Sequence, residues 1–151
     1  MPTPDLKPTN PKDAIGSGKL PMHLVPDSAI AWLSLAFLEG ALKYGKYNWR
    51  VAGVRASVYL DAIERHRAKF ASGEWADPAT SVPHLASIMA CCAIVLDAEV
   101  SGTLTDDRPP IQPDLPVLID AMAGKVAHLK ELFKDHNPHQ HTIGDEPDRP
   151  V

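Results

Sequence analysis

Proline is absent from Asp27 to Asp77 in a chain that carries fifteen of them. Proline breaks helix interiors and strand ladders, so this clear stretch is where long regular elements can form. Six prolines precede residue 27. The rest stand at Pro78, Pro83, the group Pro109, Pro110, Pro113 and Pro116, and in the last fourteen residues. Between those marks the apolar residues recur at helical spacing. A first helix is expected over Ser28–Tyr44, opened by Pro26-Asp27-Ser28 and closed by Gly45, with Ile30, Leu33, Phe37 and Leu38 on one stripe. A second fits Arg55–Ser72, ended by Gly73. A third follows Pro83 and runs to about Val100, before Gly102.

The middle of that third helix, IMACCAIVL, is apolar on every side and is expected to be buried all round. A fourth fits Leu115 to about Lys134, capped by Asp114, with Leu118, Met122, Val126, Leu129 and Phe133 as its stripe. No alternating strand longer than four residues and no repeat is visible. The expected fold is therefore all-α, a bundle of four main helices in one domain over residues 1–136. A polar tail, 137–151, is expected to be mobile. Three amphipathic neighbours cover an all-apolar helix poorly, so self-association is expected.

Composition narrows the function. Net charge is −4 with the seven histidines neutral, the wrong sign for a free duplex-DNA binder, so no stable nucleic-acid partner is expected. The longest apolar run, Ile88–Leu96, is about half a membrane span, and no signal peptide is recognisable. The adjacent Cys91 and Cys92 read as reduced core residues, which points to a cytoplasmic protein. If the substrate is a polyanion, a divalent cation held by carboxylates must supply the missing positive charge.

Three groups of residues carry possible chemistry. Asp61 and Glu64 stand at i,i+3 on the second helix, the helical arrangement that grips a hard cation, although acidic pairs are also common on plain surface helices. Glu39 lies among Leu35, Phe37, Leu38 and Leu42, with Lys43 one turn on as its simplest partner. The segment KYGKYNWR, Lys43–Arg50, crowds two tyrosines, a tryptophan, an asparagine and three cations into eight positions. It suits either a base-and-phosphate contact or a loop whose aromatics cap the bundle. His84 alone reads as a hydrogen-bonded core residue. Gly16-Ser17-Gly18-Lys19 is not a phosphate loop, since Asp13 replaces the first glycine and Leu20 follows the lysine.

Taken in order, NPKDAIGSGKLPMHLVP (Asn10–Pro26), LEGALKYGKYNWR, VYLDAIERH, PHLA and DDRPP (Asp106–Pro110) resemble the phage and bacterial dATP/dGTP diphosphohydrolase domain. That domain is similar to the MazG-like all-α nucleoside triphosphate pyrophosphohydrolases. The resemblance implies hydrolysis of a (deoxy)nucleoside triphosphate to the monophosphate with Mg²⁺ or Mn²⁺, in a homodimer or homotetramer. It implies metal ligation and catalysis by Glu39, Asp61 and Glu64. Leu42 stands where the related pattern has a second glutamate, which leaves His66, His84 or Asp97 to complete the set. Lys43, Arg50, Arg65 and Lys19 are the implied phosphate ligands. Asn48 and Trp49 are the implied base contacts, and His66 and His84 orient ligands or water. dGTP is the favoured substrate, with GTP and dATP as further candidates, and dGMP for phage 2-aminoadenine nucleotide synthesis the implied product. The alternatives are a nucleotide sensor without turnover and a broad-specificity house-cleaning pyrophosphohydrolase.

Overall fold

The computed structural model describes residues 10–111 and 114–145 of the chain; Pro113 and the tail beyond residue 145 lie outside the described residues. The described elements are α1 (Pro11–Gly16), a 3₁₀ turn (Met22–Leu24), α2 (Asp27–Tyr44), α3 (Asn48–Ala52), β1 (Val54–Arg55), α4 (Ala56–Ala71), α5 (His84–Ser101), β2 (Leu104–Thr105), α6 (Leu115–Leu132) and a second 3₁₀ turn (Ile143–Asp145). The four long helices begin and end within about two residues of the expected limits. The punctuation works through the backbone: Gly45, Gly53, Gly73 and Gly102 all take positive φ at helix ends or turns. Asp114 precedes α6 as expected, but its side chain makes no capping hydrogen bond.

Helix α5 is the axis of the fold. It packs against α4 and α2 and also carries α3. Small residues make this close approach possible. Ala36, Val82, Ala86 and Ala90 form one buried cluster, and Trp49, Val54 and Ala98 form another. β1 and β2 pair in parallel, Val54 with Leu104 and Arg55 with Thr105. That pairing depends on Gly53: its φ is +75°, and a Cβ there would stand 2.8 Å from the Thr103 carbonyl oxygen.

Two packing expectations need correction. Helix α5 is not buried all round within one chain, because Leu96, Val100 and Cys92 are exposed. Nor does α6 join the bundle. It has no buried residue and packs extensively against no other element, and Leu118, Val126, Leu129 and Phe133 stay about half exposed. The physical reason is that α2, α4 and α3 cover only part of α5, and among the described residues no element packs extensively on the α6 stripe. The chain exposes 12923 Å², against about 7500 Å² for a compact monomer of this size. By length and composition α5 is also apolar enough to cross a membrane. Only part of that apolar surface is buried against α2, α3 and α4.

Candidate active-site cleft

Helices α2, α3 and α4 all pack against α5, and residues of the four line a cleft of about 550 Å³. That volume falls within the roughly 300–1,000 Å³ of small-molecule sites. Periodicity decides which α4 residues reach it. Val58, Tyr59, Ala62, Arg65 and His66 line the cleft, at the i, i+1, i+4, i+7, i+8 spacing of one helical face. Helix α2 supplies Phe37, Glu39 and Lys43, and α3 supplies Asn48 and Trp49.

The same periodicity puts Asp61 on the flank of α4 and Glu64 on the side away from the cleft. Both are exposed, and the Glu64 carboxylate accepts from Arg67 Nε at 2.9 Å. Glu39 is the one carboxylate lining the cleft among the described residues. It accepts a hydrogen bond from Lys43 Nζ, which raises the lysine pKa. One chain therefore does not bring Glu39, Asp61 and Glu64 around a common point. Leu42 is exposed and does not line the cleft, and Lys19 is exposed beyond α1, also outside it. Among the described residues, the side chains that do approach closely enough to share an ion are His139, His141 and Asp145, all exposed.

Of the two readings of KYGKYNWR, the capping one accounts for Trp49. Its indole is 8% exposed, lies 5.6 Å from both the Phe37 and Tyr47 rings, and donates from Nε1 to Asp97 Oδ2 at 2.6 Å. The Arg50 guanidinium grips the same carboxylate with two bonds of 2.8 Å. So Arg50, expected on phosphate, is held by Asp97 outside the cleft, while Asn48 and Trp49 do line it. Tyr47, left-handed at φ 57°, turns the chain into α3 and lies under the Arg50 cation.

The Arg50 bonds, helped by the Trp49 N–H, hold the Asp97 carboxyl at about 2. A folded value below the free value of 3.8 means the stabilisation is complete above 3.8 and is lost as pH falls through about 2. Trp32 and Trp75 are already exposed. Acidification across that window is therefore expected to shift tryptophan emission to the red as Trp49 is released, and Asp97→Asn to show the shift already at neutral pH. An unchanged spectrum in both would refute the clamp.

The DDR segment is held by internal hydrogen bonds. Asp107 accepts from the backbone N–H and hydroxyl of Ser57 at 2.8 and 2.6 Å, capping the start of α4 from fifty residues away. Asp106 pairs with Arg108. The site residue that sequence reasoning missed is Glu74. Gly73, at φ +98°, reverses the chain after α4, and the bridge between Ala76 and Pro83 then brings residue 74 back to His84. His84 is 0% exposed; its Nε2 lies 2.7 Å from Glu74 Oε1 and its Nδ1 lies 2.9 Å from His66 Nδ1. Burial, and then the neighbouring His84, lower the His66 pKa.

A family model described as dATP/dGTP diphosphohydrolase, N-terminal, matches residues 9–108. The chain belongs to that family. The matched span takes in every residue lining the cleft and leaves α6 outside it. The family's name describes a diphosphohydrolase, a hydrolase acting on nucleoside triphosphates. No curated protein and no solved structure matches the chain.

Proposed function

We propose that the chain hydrolyses a purine (deoxy)nucleoside triphosphate, dGTP first, to the monophosphate, with Mg²⁺ or Mn²⁺ as cofactor. The supporting observation is the cleft of a dATP/dGTP diphosphohydrolase family member. Phe37 and Tyr59 pack with Trp49 along its lining, next to Asn48, and the same lining carries the Lys43–Glu39 pair and Arg65. The aromatic group suits a purine, which stacks on apolar and aromatic surface and is read at its edge by an amide. The charged group suits phosphate oxygens.

Mg²⁺ is commonly held by one or two carboxylates together with the substrate's own phosphates. Glu39 fits that use, since its carboxylate already faces a cation in Lys43. Asp61 on the flank of α4 is the second candidate, and Glu64, paired with Arg67, is left out of this reading. Bound there, the ion would offset phosphate charge and acidify a water. In this reading Lys43 exchanges Glu39 for a phosphate oxygen when substrate enters, Arg65 binds a second phosphate, and the aromatic wall excludes water from the base.

The protein works as a homodimer or homotetramer in this reading, because the α6 stripe and the outer face of α5 are left uncovered by the described residues of one chain. With dGTP as substrate, supply of dGMP for phage 2-aminoadenine nucleotide synthesis is the role we propose.

The test is incubation of the purified chain with each ribo- and deoxyribonucleoside triphosphate, with Mn²⁺, Mg²⁺ or chelator, and separation of products by anion exchange. Conversion of dGTP to dGMP that chelator stops, with little pyrimidine turnover, is expected. Equal activity on all triphosphates would replace the reading with house-cleaning. Binding without monophosphate would replace it with a sensor.

A further inference from the structure

We propose that Glu74, His84 and His66 form a proton relay that opens into the cleft and takes the proton of the water attacking the nucleotide. The inference rests on the hydrolase reading and adds to it a proton acceptor that is not a carboxylate.

The relay uses one assignment of protons that fits both hydrogen bonds. A carboxylate only accepts, so His84 Nε2 carries the hydrogen that bonds Glu74 Oε1 at 2.7 Å. In the relay's resting state His84 Nδ1 is the acceptor, and His66 Nδ1, 2.9 Å away, donates to it. That leaves His66 Nε2 as the unprotonated nitrogen, on a residue that lines the same cleft as Lys43 and Arg65. His84 itself is sealed from water, so its two ring nitrogens have no solvent alternative to these partners.

The step balances without a further reactant. Water oxygen bonds to phosphorus, and a phosphoric anhydride P–O bond breaks with its electron pair leaving on the phosphate group. The water proton goes to His66 Nε2, and the His66 Nδ1 proton passes to His84 Nδ1. The resulting imidazolium at His84 is balanced by Glu74, whose carboxylate is already in place. Glu74 and His84 are positioning residues in this scheme, and His66 is the group that touches the reacting water.

Three variants test it. Acid–base groups of this kind contribute about 10²–10⁴ in rate. His66→Ala is therefore expected to lower kcat at least about 100-fold with KM little changed, and added imidazole to restore part of it. Glu74→Gln keeps an acceptor for His84 but removes the charge. It is expected to lower kcat about tenfold or more with an unchanged circular dichroism spectrum, a loss that a purely structural role would not produce. In the wild-type protein, long-range proton–nitrogen correlation spectra are expected to show His66 protonated at Nδ1 and bare at Nε2. An active wild type whose His66→Ala and Glu74→Gln variants keep full kcat would overturn the relay alone. A His66 ring protonated at Nε2 would overturn it too. A wild type that hydrolyses no triphosphate would instead overturn the hydrolase reading, while the nitrogen spectrum still reports whether the hydrogen-bond chain exists.

Discussion

Glu39→Gln is expected to reduce dGTP turnover on the order of 100-fold or more, the scale on which removing a group that organises transition-state charge acts in a cleft. The residue is singular among the described ones: it is the carboxylate that lines the cleft, and it holds the Lys43 ammonium when nothing else is there. The amide keeps the shape and loses the charge, so a cation has no anchor on α2 and Lys43 no counter-charge. Steady-state rates across a metal titration give the measurement. The loss is expected to shrink as metal concentration rises, and Glu64→Gln, turned away from the cleft and paired with Arg67, is expected to stay within about twofold of wild type. Equal losses at Glu39 and Glu64 would mean that both meet the substrate, which the arrangement within one chain does not allow.

The second large effect falls on stability. Trp49→Ala is expected to cost about 3–5 kcal/mol, the usual range for truncating a buried tryptophan, in a fold whose whole margin is about 5–15 kcal/mol. Trp49 fills one of the two buried clusters with Val54 and Ala98, and its removal also withdraws a hydrogen bond from Asp97. Chemical denaturation followed by circular dichroism measures the cost. A loss below about 1 kcal/mol would show that α3 is not part of the cooperative core.

The long helices were legible because proline and glycine mark both ends of α2, α4 and α5 and the start of α6, and apolar residues fill the stripe between. The cleft was legible in part. Glu39, Lys43, Asn48, Trp49, Arg65 and His66 were all singled out, and all line it. Other parts left no local signal. Asp61 and Glu64 make an attractive i,i+3 pair in sequence, yet the cleft-facing stripe of α4 runs through Val58, Ala62 and Arg65 instead. Asp97 and Asp107 find their partners about fifty residues away, where no periodicity reaches. Glu74 sits in a connection between helices and becomes meaningful only when Gly73 and the Ala76–Pro83 bridge fold it back. The apolarity of α5 was read as burial on every side, whereas the described residues of one chain cover mainly the faces that meet α2, α3, α4 and β2.

The clamp beside the cleft also bears on how the site comes into being. Trp49 and Arg50 meet Asp97 across 48 and 47 residues, and Ser57 meets Asp107 across 50. Closing a flexible loop of that length costs about 3–4 kcal/mol of chain entropy. The two loops overlap from residue 57 to residue 97, so whichever contact forms first bears most of the cost and makes the others cheaper. These anchors therefore form together, and a chain cut before residue 97 would keep the residues that line the cleft but lose the partners that hold Trp49, Arg50 and Ser57 in place.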